Sequence, residues 1–298
     1  MYNAIQMDRS VLKSDLILLL AAIIWGFCFV AQRLGMEHMG PFTFTALRFS
    51  LGTIFLAFFI LIKHKKQFWS FKKKEIVMGC IVGAMMFAAT AFQQVGITYT
   101  TATKSGFITS LYVILVPIFG FLFWEQKISR WTLLGSILAV VGLYLLTVPS
   151  DLKPNYGDIL TFVCALFWAF HVLTIGKFSP RMNSLKLALV QFSFCTVLSI
   201  VVALIIETTT IHMIYLSSIS LLYSGIISIG VAFTLQIVGQ KYSPPSHAAI
   251  IMSLEAVFAA VGGWFMLNEG FTPRTMLGCG LMLFGMLISH AKLKPALY

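Results

Sequence analysis

Apolar residues fill ten long stretches of this chain, near residues 15–34, 42–62, 76–98, 102–123, 131–148, 157–177, 185–206, 217–240, 247–267 and 273–290, and charged or turn-forming residues separate them. A bilayer core of about 30 Å takes about 20 apolar residues to cross as a helix. The pattern therefore predicts ten membrane-spanning helices joined by short loops, with no soluble domain attached. The polar and small residues inside the stretches repeat at an offset of 143. Gln93, Val95, Gly96 and Tyr99 recur as Gln236, Val238, Gly239 and Tyr242, and Asp15, Trp25 and Phe27 recur as Asp158, Trp168 and Phe170. Phe49 and Ser50 fall on Phe192 and Ser193, Ser110 and Leu111 on Ser253 and Leu254, and Gly135 and Gly142 on Gly278 and Gly285. Five spans per copy is an odd number, so the second copy enters the membrane in the opposite sense. Two inverted five-helix repeats, 1–150 and 151–298, are expected, an arrangement typical of secondary transporters.

Composition agrees with lipid as the solvent: 59% of the residues are hydrophobic, 10% are charged and the mean hydropathy is +0.91. With the N-terminus inside, 16 of the 21 Lys and Arg residues lie on the cytoplasmic side, against Arg33, Lys104, Lys153 and Arg274 outside and Arg48 within a span. That bias predicts both termini in the cytoplasm, and the membrane expected is of the bacterial inner-membrane type. The net charge of +11 is concentrated in short connections such as Lys63 to Lys74, which read as topology anchors rather than a nucleic-acid surface. No small-residue cleavage site follows the first span, so it is expected to stay as an anchor. All five cysteines fall inside apolar spans without a CxxC pair, so neither structural disulfides nor metal sites are expected.

Pro117 leading to Glu125, Gly135 and Gly142, their partners Glu269, Gly278 and Gly285, the repeated Trp-x-Phe of spans one and six, Pro41 ahead of Arg48, and Tyr99 four residues before Thr103 together resemble the drug/metabolite transporter superfamily in its ten-helix EamA-type branch. The resemblance spans nearly the whole chain. It implies an all-α fold of two inverted five-helix repeats around a cavity lined by spans one, three, four, six, eight and nine. Members of the family export or import amino acids, nucleotides, sugars and other small metabolites. The chain departs from its own symmetry in span nine, where Ala260 stands opposite Pro117.

Glu255 stands near the middle of span nine among apolar neighbours. An acid at that depth costs roughly 2.5–3.5 kcal/mol on insertion scales, which a proton, a cationic partner or a hydrated cavity can offset. It reads as a proton-coupling or substrate-amine site, or as a structural acid bonded to an adjacent helix. The offset carries it onto Tyr112, which shares a helical face with Thr101, Ser105 and Thr109. Such a stripe faces protein or water, although hydroxyls also bond carbonyls of their own helix. Trp25, Cys28 and Gln32 in span one, and Trp168, His171 and Thr174 in span six, present aromatic and polar groups on one face each. His171 is a relay or solute contact, or else a satisfied core histidine. The amides of Gln93, Gln94, Gln236 and Gln240 suit a solute or neighbouring backbone equally.

Other residues read as scaffold. Arg48, a third of the way into span two, is expected to snorkel or to pair with Glu37 or Asp158. Glu125 and Glu269 are expected to cap or brace the hairpins after spans four and nine. Gly135 with Gly142 and Gly278 with Gly285, each seven residues apart, permit close backbone contact, as do Gly79 and Gly83. Pro244 and Pro245 start span nine.

These features point to a carrier that works by alternating access. The aromatic, hydroxyl and amide lining favours an amino acid or similar amphiphile, moved outward, with a proton as the candidate coupling ion. An uncoupled facilitator or exchanger of nucleotide- or sugar-like metabolites is the rival reading, and a membrane scaffold or receptor the rival class. An enzyme is not expected: neither HExxH nor a phosphate loop occurs and the six histidines are scattered. The expected partners are a small-molecule substrate and the lipid bilayer, with no nucleic acid and no cofactor, in a monomer or homodimer.

Overall fold

The computed structural model of the chain describes residues 2–64, 70–100, 102–147, 155–267 and 270–290, and every regular element among them is helical. In chain order these are α1 (Tyr2–Gly35), α2 (Pro41–Lys63), α3 (Lys73–Tyr99), α4 in two segments (Ala102–Ser110 and Tyr112–Trp124), α5 (Arg130–Thr147), α6 (Tyr156–Phe178) and α7 (Ser184–Ile206). A short helix, Ile211–Leu216, leads into α8, which comprises Ser218–Leu222, a π-helical stretch Tyr223–Phe233 and Thr234–Gln240. Then come α9 in two segments (Pro245–Met252 and Glu255–Leu267) and α10 (Pro273–His290). Eight of these, α1 to α4 and α6 to α9, are long and apolar enough to cross a membrane. The protein is thus an integral multi-pass membrane protein, and its outer face fits that solvent: Phe121, Leu122 and Phe123 are 61%, 61% and 62% exposed. In water three such rings and side chains would each forgo roughly 1.5–3 kcal/mol of burial; in lipid they forgo nothing.

Local chemistry sets the helix ends. Asn155 accepts from Asp158 N while Asp158 Oδ2 accepts from Asn155 N, both at 2.9 Å, a reciprocal cap for α6. Asn183 Oδ1 accepts from Leu185 N and Lys186 N at the start of α7. The start of α2 is capped from a distance: Glu207, just past the end of α7, accepts from Phe42 N at 2.9 Å and Thr43 N at 2.7 Å. Pro245 opens α9 at its first turn, where a missing N–H costs nothing. Glu125 ends α4 with φ 52°, and Gln126 N reaches back to Gly120 O at 3.0 Å. Glu125 thus closes the C-terminus of α4 through its backbone in the left-handed conformation, and its carboxylate, expected to cap the following helix or brace the hairpin, is exposed.

Spans four and nine read as continuous, and each is broken in the structure at the same point of the offset, Leu111 and Ser253–Leu254. There the backbone tightens to three-residue bonds, Leu111 N to Ile108 O at 3.2 Å and Leu254 N to Ile251 O at 3.1 Å. The π-helical stretch of α8 has no counterpart in α3.

Helix contacts follow the offset as well. The Phe49 and Phe192 rings meet with centroids 6.4 Å apart, and the Thr53 and Thr196 hydroxyls lie 3.2 Å apart. In α5 and α10, which pack chiefly on each other, a Cβ on Gly135 would lie 2.6 Å from Gly285 O, and one on Gly142 would lie 2.6 Å from Gly278 O. The converse approaches are 2.7 Å and 2.6 Å. Only glycine permits helices that close. Gly79 and Gly83 do the same for α3 against Val190 and Gln191 O of α7.

Candidate functional site

Near the middle of the bundle the helices part around a cavity lined by α1, α3, α4, α6, α8 and α9, with one residue from α2. The space between its lining atoms, mouth included, is about 530 Å³, of which about 50 Å³ admits the centre of a water-sized sphere. One water needs roughly 10–15 Å³ of such space, so this conformation has room for a few waters and a larger solute requires the walls to part.

Most of the lining comes in pairs related by the offset of 143. Trp25 faces in with Trp168, Phe29 with Val172, and Thr90 with Phe233. Gln93 pairs with Gln236, Thr109 with Met252, and Tyr112 with Glu255. The aromatic members form one cluster: Phe233 lies 4.6 Å from Trp25 and 5.6 Å from Trp168, stacked on the latter at 18°. Gln93 Nε2 donates to Thr109 Oγ1 at 3.2 Å, and Gln236 Nε2 to Gln240 Oε1 at 3.0 Å.

Four lining residues have no partner of this kind, and all are polar or polarisable: Cys28, Gln32, Arg48 and Ser228. Arg48, 3% exposed, donates from Nη1 to Gln32 Oε1 at 2.7 Å and lies over the rings of Phe44 and Phe49 at 5.8 Å and 5.4 Å. This corrects the expected pairing with Glu37 or Asp158. Asp158 is instead bonded to Lys104 Nζ at 2.6 Å and Thr100 Oγ1 at 2.9 Å. The aromatic sleeve and the Gln32 amide let Arg48 stay inside rather than snorkel to an interface. The matching arrangement in the other half is closed off: Gln191, the counterpart of Arg48, bonds His171 Nε2 at 3.1 Å behind the Trp168 ring.

Glu255 opens the second segment of α9 and is 6% exposed. Ser110 Oγ donates to Glu255 Oε1 at 3.4 Å, and the Tyr112 hydroxyl is its other partner. Both come from the break in α4, so the two broken helices present their polar groups to each other. A Cβ on Gly26 of α1 would lie 2.7 Å from Glu255 O, so α1 seats directly on the broken turn. Trp25 Nε1, Arg48 Nε and Gln236 Oε1 are buried without a partner among the described residues. Each such group costs roughly 1–3 kcal/mol if nothing bonds to it, which marks them as contacts for water or a solute.

The remaining residues of interest lie off the cavity. His171 is fully buried behind Trp168, Ser105 is fully buried in α4, and Gln94 is buried with neither amide atom bonded among the described residues. Thr101 and Glu269 fall outside the described residues. Arg48 and Ser228 were missed as lining, because the position of a residue along a helix does not reveal which way it faces. Thr90 and Phe233 could have been found, since the offset makes them counterparts on the faces that carry Gln93 and Gln236.

Fold and cavity together define a membrane transporter. The profile of the EamA-like transporter family matches residues 12–148 and again residues 155–290, and the chain belongs to that family. An uncharacterized transporter of Archaeoglobus fulgidus is 35% identical over 277 residues, covering 93% of this chain and 85% of the relative. The uncharacterized transporters YoaV and YetK of Bacillus subtilis are 22% and 25% identical, covering 90% and 92% of this chain and 93% and 86% of theirs. One solved crystal structure superposes with a TM-score of 0.77 at 17% identity, over 93% of this chain and 96% of that one, a likeness of fold.

Proposed function

We propose that the protein is an alternating-access exporter of small zwitterionic amphiphiles of the amino-acid class, driven by protons through Glu255. The observation that carries this reading is that one buried acid and one buried base, Glu255 and Arg48, line the same aromatic-walled cavity. An ammonium group suits the carboxylate, a solute carboxylate suits the guanidinium and the nearby indole N–H, and an apolar side chain suits the Trp25–Phe233–Trp168 cluster. Transferring a charge across a membrane potential supplies roughly 2.3 kcal/mol per 100 mV, more than the roughly 1.4 kcal/mol of a tenfold concentration ratio. One proton taken up and released at Glu255 is therefore sufficient drive.

The frame for alternation is two inverted five-helix repeats, 1–150 and 151–298, making ten membrane helices with both termini in the cytoplasm of a bacterial-type inner membrane. Two observations support it: the family profile matches the chain twice, and residues 143 apart meet at Phe49–Phe192 and Thr53–Thr196, while the glycines of α5 and α10 meet crosswise, Gly135 with Gly285 and Gly142 with Gly278, so that the offset carries one contact onto the other. Rocking one repeat against the other then opens the cavity to each side in turn. Thermal-shift screening of the detergent-solubilised protein against amino acids, nucleosides and sugars identifies the solute class, and flux of the hits into sealed proteoliposomes with and without a pH gradient tests transport. Zwitterion flux that follows the gradient is the expected result. Stabilisation by sugars or nucleosides alone, or flux indifferent to the gradient, would overturn it.

A further inference from the structure

At the end of the bundle where α1 enters it, Asp15 of α1, His247 of α9 and His290 of α10 converge. His247 Nε2 lies 3.0 Å and His290 Nδ1 2.6 Å from the same oxygen, Asp15 Oδ2. One potential ligand atom from each residue lies within 4.8 Å of the others. The second carboxylate oxygen, Asp15 Oδ1, is buried without a partner among the described residues. His247 is fully buried and its other nitrogen, Nδ1, lies 2.8 Å from Ser289 Oγ.

The offset supplies a comparison. It carries Asp158 onto Asp15 and Lys104 onto His247, and Lys104 Nζ lies 2.6 Å from Asp158 Oδ2. At that end a lysine ammonium neutralises the carboxylate. At the Asp15 end the chain supplies two imidazoles instead, bases with lone pairs and no permanent charge. The arrangement accepts a cation that lysine provides internally at its counterpart.

We propose that Asp15, His247 and His290 form a binding site for a divalent transition metal of the zinc class. Zinc takes histidine nitrogen at about 2.0–2.1 Å and carboxylate oxygen at about 2.0–2.2 Å, which sets tetrahedral ligand atoms about 3.3 Å apart. The present nitrogen–oxygen separations need to widen by less than about 1 Å. Binding requires the two nitrogens that face Asp15 to be unprotonated. Each ring then holds its proton on the other nitrogen, His247 on Nδ1 towards the Ser289 hydroxyl and His290, whose side chain is 34% exposed, on Nε2. A hydrogen bond from the outer nitrogen of a ligating histidine is what fixes its tautomer in metal sites. Two imidazoles and one carboxylate select zinc-like ions over magnesium or calcium. A cleft lined by residues 126–132 with Pro244, Ser246 and His247 lies beside the cluster, and the side chains of His290 and Asp15 are themselves 34% and 13% exposed. Resting on the carrier reading, the bound ion ties α1, α9 and α10 together and holds that end closed.

Cobalt(II) is the spectroscopic probe and zinc the competitor, with the full-length protein in detergent. Expected are one cobalt per chain, a saturable visible absorption band without thiolate charge transfer, displacement by zinc, and a zinc-dependent rise in melting temperature. Affinity should fall at least tenfold in His247→Gln and in His290→Gln and stay unchanged in His212→Gln, which alters an exposed histidine elsewhere. X-ray absorption of the zinc-loaded wild type, needed if the variants do not fold, should show only nitrogen and oxygen neighbours with imidazole outer shells. No saturable band, a thiolate band, equal affinity in the cluster variants, or a melting temperature that responds to pH but not to zinc overturns the proposal. Binding is read without transport, so failure of the carrier reading leaves these outcomes distinct.

Discussion

The two walls of the cavity differ in origin. One is a shell of six residue pairs set 143 apart, contributed evenly by both halves of the chain; the other is the patch of Cys28, Gln32, Arg48 and Ser228, whose counterparts do not reach the space. The shell follows from the frame, since helices that repeat bring their equivalent faces to the same centre. The patch does not. Even within the shell, the pair nearest the helix breaks is unequal, a phenol at Tyr112 and an acid at Glu255. Symmetry therefore builds the container, and departures from symmetry supply its two ionisable side chains, Glu255 and Arg48.

The largest effect that can break this comparison is expected at Glu255. In proteoliposomes Glu255→Gln should abolish gradient-driven accumulation, about a hundredfold or more, while the variant still folds because glutamine keeps the shape of the side chain and removes only its exchangeable acid. Tyr112→Phe, the matching change in the other repeat, should keep the response to the pH gradient. If both variants behave alike, the inequality of the pair has no functional meaning. Next comes the frame itself. Gly142→Leu puts a side chain where a Cβ alone meets Gly278 O at 2.6 Å and Met282 Cγ at 2.6 Å, and it should cost about 3 kcal/mol, read as a lowered melting temperature. The converse substitution, Gly278→Leu, should cost a similar amount.

A smaller shift is expected at the asymmetric patch. Arg48→Gln keeps a partner for Gln32 but removes the cation, and should raise KM about tenfold with little change in kcat, the mark of an interaction made equally in bound and transition states. Gln191→Glu, at the counterpart position behind Trp168, should leave KM unchanged. A KM effect of equal size at both positions would return Arg48 to a purely structural role.

Much of the frame was legible in the sequence, for a physical reason. Of the ten apolar stretches, eight form helices long and apolar enough to cross a membrane; these and the glycines at 135, 142, 278 and 285 act locally or through close backbone approach, and both leave marks that survive in one dimension. Tyr112, Glu255, Trp25 and Trp168 were also readable, because polar or ring-bearing residues at mid-span stand out against lipid. Less legible was anything that depends on rotation about a helix axis. His171 and Arg48 both lie inside spans, yet the cavity receives the arginine and the histidine sits behind a tryptophan. The breaks at Leu111 and Ser253–Leu254 were hidden although both pairs of residues were visible as a repeat, since nothing in Ser-Leu by itself interrupts a helix. Least legible were contacts between remote positions, Glu207 capping α2 and Asp15 joining His247 and His290, where histidines that look scattered along the chain meet in space.

The smallest expected effect tests the axis of the comparison. Thr53 and Thr196 are each other's counterparts and their hydroxyls touch at 3.2 Å, so the contact lies where a two-fold relation between halves maps it onto itself. Hydrogen bonds between helices in membranes contribute on the order of 0.6 kcal/mol. A double-mutant cycle of Thr53→Ala and Thr196→Ala, read by unfolding in detergent mixtures, should return a coupling of about that size. Its more searching outcome is the ratio of the single costs. A contact that is its own image loses the same bond whichever threonine is removed, so the two costs should agree within about 0.5 kcal/mol. Clearly unequal costs would mean that α2 and α7 sit in different surroundings, and the asymmetry of the cavity would then begin in the frame rather than in the residues that line it.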